Sequence, residues 1–150
     1  MRLVLDTNVW IDWLVFDDPA IAPLREAQRK AIVQIVIDQA CLSELRKVLS
    51  YPEFRLTEAQ KQAALIEVDH CCSRNEPVQS VICPTLPRCD DPDDQKFLEL
   101  ARNARADWLL TKDKALLKLS KKTLLAAEFR IGTPQQWSEP FNPASSVATA

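Results

Sequence analysis

Four carboxylates fall where carboxylates can do chemistry: Asp6, Glu44, Asp94 and Asp113. Asp6 ends the apolar run Leu3-Val4-Leu5, which is too short for a helix and reads as a strand buried on both faces. Asp113 follows a second such run, Trp108 to Leu110, through Thr111-Lys112. Asp94 lies near the third position of a helix opened by Asp91-Pro92, on the face of Phe97, Leu98 and Ala101. Glu44 stands at the margin of an apolar stripe, three residues after Cys41 and four before Val48. In an open α/β sheet, ligands bind outside the carboxyl ends of the strands. With parallel neighbouring strands, these four positions converge on one rim. Converging carboxylates raise each other's pKa, and the available remedy is a hard divalent cation with oxygen ligands, Mg²⁺ or Mn²⁺. Such an ion beside lysines makes a phosphodiester-hydrolysing site in its simplest form.

Each acid also has a plainer reading. Asp6, Asp91 and Asp113 suit helix N-caps. Asp94 suits the first turn of a helix, where the macrodipole favours acids. Glu44 can turn out to water, since an inward carboxylate is costly without a partner.

The remaining side chains narrow the chemistry further. His70 is the only histidine, so a histidine triad or histidine–metal cluster is nearly excluded. Five cysteines, Cys41, Cys71, Cys72, Cys83 and Cys89, show no paired spacing of a zinc site and read as structural or incidental. A net charge of −2 argues against a protein that coats nucleic acid by charge alone. A local basic rim does exist in Lys112, Lys114, Lys118, Lys121 and Lys122, which as a plain helix face would simply be solvated.

The elements that must position these groups alternate along the chain. Strands are expected at residues 3–5, 31–37, 108–110 and 128–131, with a short strand or extended linker at 78–82. Helices are expected after Asp6, from Pro19 to about Lys30, from Gln39 to about Ser50, and from Thr57-x-x-Gln60 to about Ser73. In that fourth helix, Ala63, Ala64, Leu65 or Ile66, and Val68 are expected to face inward. Further helices should run from Asp91-Pro92 to about Ala104 and from about Lys114 to Leu119, with a last turn capped by Thr133 and holding Trp137. Alternation of this kind predicts a three-layer α/β/α sandwich on a central, mostly parallel sheet. At 150 residues one domain over 1–137 and a frayed tail over 138–150 account for the chain. No run approaches the roughly 20 apolar residues of a membrane span, and the first residues lack a signal segment. A cytoplasmic protein is expected.

The stretches Leu3-Val4-Leu5-Asp6-Thr7-Asn8, Leu42-Ser43-Glu44-Leu45, Asp91 through Leu98, and Trp108-Leu109-Leu110-Thr111-Lys112-Asp113-Lys114 resemble, in order and spacing, the motifs of the PIN-domain family. More narrowly, they are similar to the toxin components of bacterial toxin–antitoxin systems, over about residues 2 to 137. The resemblance implies a metal-dependent ribonuclease, usually dimeric or of higher homo-oligomeric order, acting on RNA and inhibited by a cognate antitoxin protein. Carried across, catalysis and metal binding fall to Asp6, Glu44, Asp94 and Asp113. Asn8 would orient a ligand, Thr111 would position the last acid, and Asn8, Thr111, Lys112 and Lys114 would lie against substrate. Asp91 either joins through water or remains a cap. The last motif often carries a second acid two residues on, where this chain has Ala115, a departure that bears on a second metal ion and on full activity.

Two other readings compete. Phosphatases of the haloacid dehalogenase type also place an aspartate after an apolar strand, but want a second acid where Asn8 stands. A non-catalytic PIN-like module that binds RNA or protein is the alternative of another class. Trp10, Trp13 and Trp137 are candidates for a partner interface, or else ordinary core.

Overall fold

In a computed structural model of the chain, which describes residues 1–74, 86–126 and 129–139, the described residues form five strands. They are β1 (Arg2–Leu5), β2 (Gln34–Ile37), β3 (Cys72–Arg74), β4 (Trp108–Leu110) and β5 (Arg130–Gly132). The strand order is β3-β2-β1-β4-β5. Every pairing is parallel, with Leu3 against Ile35 on one side of β1 and Leu5 against Leu110 on the other. Leu3, Val4, Leu5, Ile35, Leu109 and Leu110 are all buried, as a sheet covered on both faces requires. The chain winds from β1 outward through β2 to β3, then crosses back to β4 on the far side of β1. The order therefore reverses between β1 and β4, the place where open α/β sheets leave a crevice at their carboxyl edge.

Among the described residues eight α-helices accompany the strands: α1 (Thr7–Leu14), α2 (Ala22–Arg29), α3 (Gln39–Leu49), α4 (Glu58–Cys71), α5 (Gln95–Asn103), α6 (Lys114–Leu117), α7 (Ser120–Ala126) and α8 (Pro134–Ser138). Single 3-10 turns precede α2, α4 and α5, at Pro19–Ile21, Pro52–Phe54 and Pro92–Asp94. In each, proline starts the turn, where its missing N–H is not needed. Thr57 with Gln60, and Thr133 with Gln136, form reciprocal capping boxes at the starts of α4 and α8. Helix α5 lies on β1 and β4 and also meets α3, which in turn packs on α1 and α4. Helices α2 and α8 pack together, and α8 covers β4 and β5. The result is the three-layer α/β/α architecture, with a sheet that is wholly parallel.

Several boundaries differ from those the sequence suggests, each for a local reason. Strand β2 begins at Gln34 and not at Ala31, because Ala31 takes φ 58° to end α2. Helix α4 stops at Cys71, and Cys72 onward pairs with β2 as β3, whereas the strand or linker expected at 78–82 lies outside the described residues. Within α4 only Ala64 and Val68 are buried, while Ala63 and Ile66 face out. The helix expected at about 114–119 forms as α6, and a further helix that the sequence reading lacked, α7, begins at Ser120 and holds the buried Thr123. Most of the expected tail also lies outside the described residues. Trp10, Trp13 and Trp137 are core residues, each 3% exposed or less, so they offer no interface.

The chain's one glycine, Gly132, is needed for space. A Cβ there would stand 2.7 Å from the Trp108 ring on the neighbouring strand. Elsewhere ordinary residues adopt the left-handed turns: Asp17, Ala31, Arg55 and Arg105 have φ of 48°, 58°, 50° and 52°.

Candidate metal centre

Asp6 leaves the end of β1 with its amide bonded to the carbonyl of Leu110 on β4, at 2.9 Å. Its side chain starts α1 and reaches the switch point at the same time. Oδ1 accepts from the Thr7 amide at 2.6 Å, while Oδ2 accepts from the Thr111 hydroxyl at 2.7 Å and from the Asn8 amide at 3.2 Å. The residue is 4% exposed. Burial pushes its carboxyl up to about 6, and the charges of Glu44 and Asp113 push the same way. The bonds from Thr111 and Thr7 pull against that rise.

Thr111 links two of the acids. Fully buried past the end of β4, its hydroxyl donates to Asp6 and accepts from the Asp113 amide at 2.9 Å. Its own amide is tied to the Gly132 carbonyl on β5, at 2.9 Å. Thr111 thus has no surface with which to meet a substrate; it positions Asp6 and Asp113. Asp113 caps α6 through Ala115, at 2.9 Å.

Asp94 stands at the N-cap position of α5 and makes no capping bond. Its Oδ2 is buried without any hydrogen-bond partner among the described residues. Burial, the adjoining Asp113 carboxyl, and the charges of Asp6, Asp113 and Asp91 push Asp94 up to about 8. Asp91 is the cap of the preceding turn, accepting from the Asp93 amide at 3.0 Å. The loop ahead of it is fastened by Gln95, which accepts from the Cys89 amide at 2.8 Å and donates to the Pro87 carbonyl at 3.1 Å.

One carboxylate oxygen each from Asp6, Asp94 and Asp113 lies within 4.8 Å of the other two. Opposite oxygens around a Mg²⁺ ion with bonds of about 2.1 Å are about 4.2 Å apart. Among the described residues no lysine or arginine forms an ion pair with any of the three. An all-carboxylate set with an orphaned buried oxygen and no organic counter-charge fits a hard divalent cation.

Glu44 lines the same cavity but stands differently. Its Oε1 is paired with Lys96 Nζ at 2.7 Å, and its Oε2 accepts the Thr7 hydroxyl. Lys96 is a residue that the sequence reading passed over. The signal was the inward lean of Glu44, which demanded a cation, and a lysine on the inner side of the next motif. Asp12 was also passed over. It is 6% exposed, one helical turn beyond Asn8, and pairs with Lys112 Nζ at 2.5 Å. Asn8 also accepts from the Lys112 amide at 3.3 Å, so two contacts hold the segment after β4 against α1. Lys112 lines the cavity. Lys114 is exposed outside it, and Lys118 is paired with Asp90.

The cavity, about 380 Å³, is lined by the acids Asp6, Asp12, Glu44, Asp94 and Asp113 and by the apolar Ile11, Phe16, Val48 and Phe54. Among the described residues this trio of aspartates is the one group of potential metal ligands, and Cys41, Cys71 and Cys89 are free thiols outside it. An arrangement of this kind can bind a cation and, through it, a phosphate. No helix of the described residues is long and apolar enough to cross a membrane.

A family model described as PIN domain matches residues 2–115, a span that runs from β1 to the start of α6 and takes in every acid of the cavity. No curated protein and no solved structure matches the chain.

Proposed function

This chain belongs to the PIN-domain family, and on that premise we propose that it is a Mg²⁺- or Mn²⁺-dependent endoribonuclease, the toxin of a toxin–antitoxin pair. PIN domains are generally metal-dependent nucleases. The observation that carries the finer reading is the trio Asp6, Asp94 and Asp113, with the Asp94 oxygen left unpartnered beside it.

In this reading Asp6, Asp94 and Asp113 hold the cation. When bound, a divalent ion supplies positive charge for the phosphate in flight and lowers the pKa of a water. The reaction is in-line hydrolysis of an RNA phosphodiester. Thr111 and Asn8 fix the Asp6 carboxylate before substrate arrives, which lowers the reorganisation needed during the reaction. Glu44 stands beside the trio as a further acid of the cavity, held in place by Lys96. Lys112 is the cavity's basic edge and Lys114 an outer contact for the RNA backbone, which positions without reading sequence.

The toxin role, the cognate antitoxin and a homodimer or higher oligomer rest on the resemblance of the four motifs to that branch of the family. Cytoplasmic location goes with the same role. The non-catalytic alternative draws its support from Ala115, which supplies no further acid.

The test is cleavage of a labelled single-stranded RNA with Mn²⁺, paired with Mn²⁺ calorimetry. Wild-type protein should cut and bind the ion, and Asp6→Asn should do neither while keeping its fold by circular dichroism. Equal cleavage by the variant would refute the assignment, and a wild type that neither binds Mn²⁺ nor cuts would establish the non-catalytic module. Growth arrest on expression, relieved by a co-expressed neighbouring gene product, tests the toxin role.

A further inference from the structure

Phe16 is the most exposed large hydrophobic side chain among the described residues, at 61%, and it lines the same cavity as the aspartates. It is not loose. Its amide is bonded to the Ile11 carbonyl at 3.2 Å, and the turn beyond it is closed by the Asp18 amide on the Asp12 carbonyl at 3.0 Å. Asp17 in the same turn takes φ 48° and is tied to Arg25 at 2.7 Å. The ring meets Phe54 edge to face, with centroids 5.8 Å apart. Phe54 itself is held in the 3-10 turn that follows α3.

An aromatic ring held by fixed backbone and backed by a second ring, yet mostly open to water, forgoes most of the free energy that its burial would give. Continuity with the acids says what would cover it. Asn8, Asp12 and Phe16 follow one another at four-residue intervals along and just past α1, and all three line the cavity. That wall is about 12 Å long at about 1.5 Å per residue. Three or four stacked nucleotides, at about 3.4 Å each, span the same length. A chain whose phosphate is drawn to the aspartates therefore has a neighbouring base at the aromatic end. Every base offers a π-face, so a ring there takes single strands with little sequence preference.

We propose that Phe16, backed by Phe54, is a stacking platform for a base of single-stranded RNA whose phosphate lies at the aspartate cluster. The inference rests on the nuclease reading for its choice of ligand. It explains why acidic and apolar side chains line a single cavity, and it makes Phe16 a specificity element for single-stranded over paired RNA.

The test measures binding by fluorescence anisotropy, with Ca²⁺ present, of a labelled uridine octamer and of an octamer with the same backbone and abasic positions throughout. Wild type should bind the base-bearing strand roughly ten-fold tighter than the abasic one, as expected for one stacked base. Phe16→Ala should bind both strands equally, at the level of the abasic strand, and Phe16→Trp should restore the difference. An unchanged melting temperature for Phe16→Ala, expected for an exposed ring, keeps the result separate from misfolding. Equal affinity of wild type and Phe16→Ala for the base-bearing strand would overturn the proposal and leave the aromatic wall to a protein partner. A parallel loss on both strands, or no binding by wild type, would also overturn it. Cleavage by the same wild-type sample with Mn²⁺ is scored separately: stacking without cleavage refutes the nuclease reading, and cleavage without the Phe16 effect refutes only the platform.

Discussion

Asp38 and Asp6 occupy the same local position. Each follows a buried four-residue strand, and each accepts a bond from the first turn of the helix it starts, Asp38 from the Cys41 amide at 2.9 Å and Asp6 from the Thr7 amide at 2.6 Å. At the end of β2 the matter stops there. At the end of β1, Asp6 also gathers Thr111 and Asn8, and carboxylates arrive from two other elements. The difference is topological. β2 lies between β1 and β3, on the half of the sheet wound in one direction, while β1 and β4 flank the reversal. The carboxyl ends of those two strands are adjacent, so residues a hundred apart in sequence share one crevice. Capping and function are not rivals here, since Asp6 and Asp113 do both. Asp94 marks the distinction best: it holds a cap position and does not cap.

The comparison breaks first, and with the largest effect, under matched substitutions. Asp6→Asn should lower metal-dependent cleavage by about a thousand-fold or more, the scale of losing a principal electrostatic group. Asp38→Asn keeps a good capping oxygen and should leave both rate and stability within about 0.5 kcal/mol of wild type. A comparable loss of rate in the two variants would mean that the end of β2 belongs to the site after all.

A second effect is on stability against pH. The folded-state values of Asp6 and Asp94, about 6 and about 8, lie above the ordinary 3.8, so the folded state holds protons that the unfolded chain releases. The associated stability is fully present below about pH 4 and is lost as pH rises through 6 and then 8. At 1.36 kcal/mol for each tenfold change in proton affinity, Asp6 alone accounts for about 3 kcal/mol. On account of this group alone, the metal-free protein should therefore melt roughly 5 to 10 °C lower at pH 9 than at pH 4. Mn²⁺ should recover that loss, increasingly so at higher pH. Asp6→Asn should flatten the Asp6 part of the slope, and Asp38→Asn should leave it unchanged. A slope equal in Asp6→Asn and wild type would remove the repulsion from the account.

Much of this was legible in the residues. β1 and β4 were marked by short apolar runs ended by polar residues, and the capping signals at Thr57 and Thr133 formed as expected. All four acids line one cavity because chain order placed each just after a strand or on the inner side of a helix. What was hidden was pairing. That Glu44 is answered by Lys96, while the Asp94 Oδ2 has no partner among the described residues, depends on how α3 and α5 pack, which periodicity does not encode. β3 was missed because three residues against the edge of β2 carry no pattern of their own, and their strand character comes from pairing. Thr111 was legible as a residue near the last acid. Its full burial was not, because that follows from the tie to Gly132 on a strand that comes later in the chain.

Thr111 gives the third test. Thr111→Val keeps the shape, removes the donor to Asp6 and removes the acceptor for the Asp113 amide. Supporting groups of this type typically contribute 10- to 100-fold, so cleavage should fall by about that factor. Thr111→Ser should restore most of it. A valine variant as active as wild type would show that the aspartates need no fixing from behind.

The smallest effects belong to the opposite edge of the sheet, and they sharpen the comparison from the other side. Both α2 and α5 end in the same motif just before a strand or its lead-in. The Ala31 and Ile32 amides bond to Gln28 and Ala27, and the Arg105 and Ala106 amides bond to Arg102 and Ala101. Each places an ordinary side chain at φ above 50°, where glycine would sit without strain. Ala31→Gly should therefore raise stability by about 0.5 to 1 kcal/mol, less the extra freedom glycine gives the unfolded chain. Cleavage should not change, because nothing at this edge touches the cavity. The carboxyl edge should behave in the reverse manner, with Asp6→Asn gaining stability at pH 8 and losing rate. If Ala31→Gly also altered the rate, the two edges would be coupled through the sheet, and the crevice could not be treated as a site whose strain is stored locally.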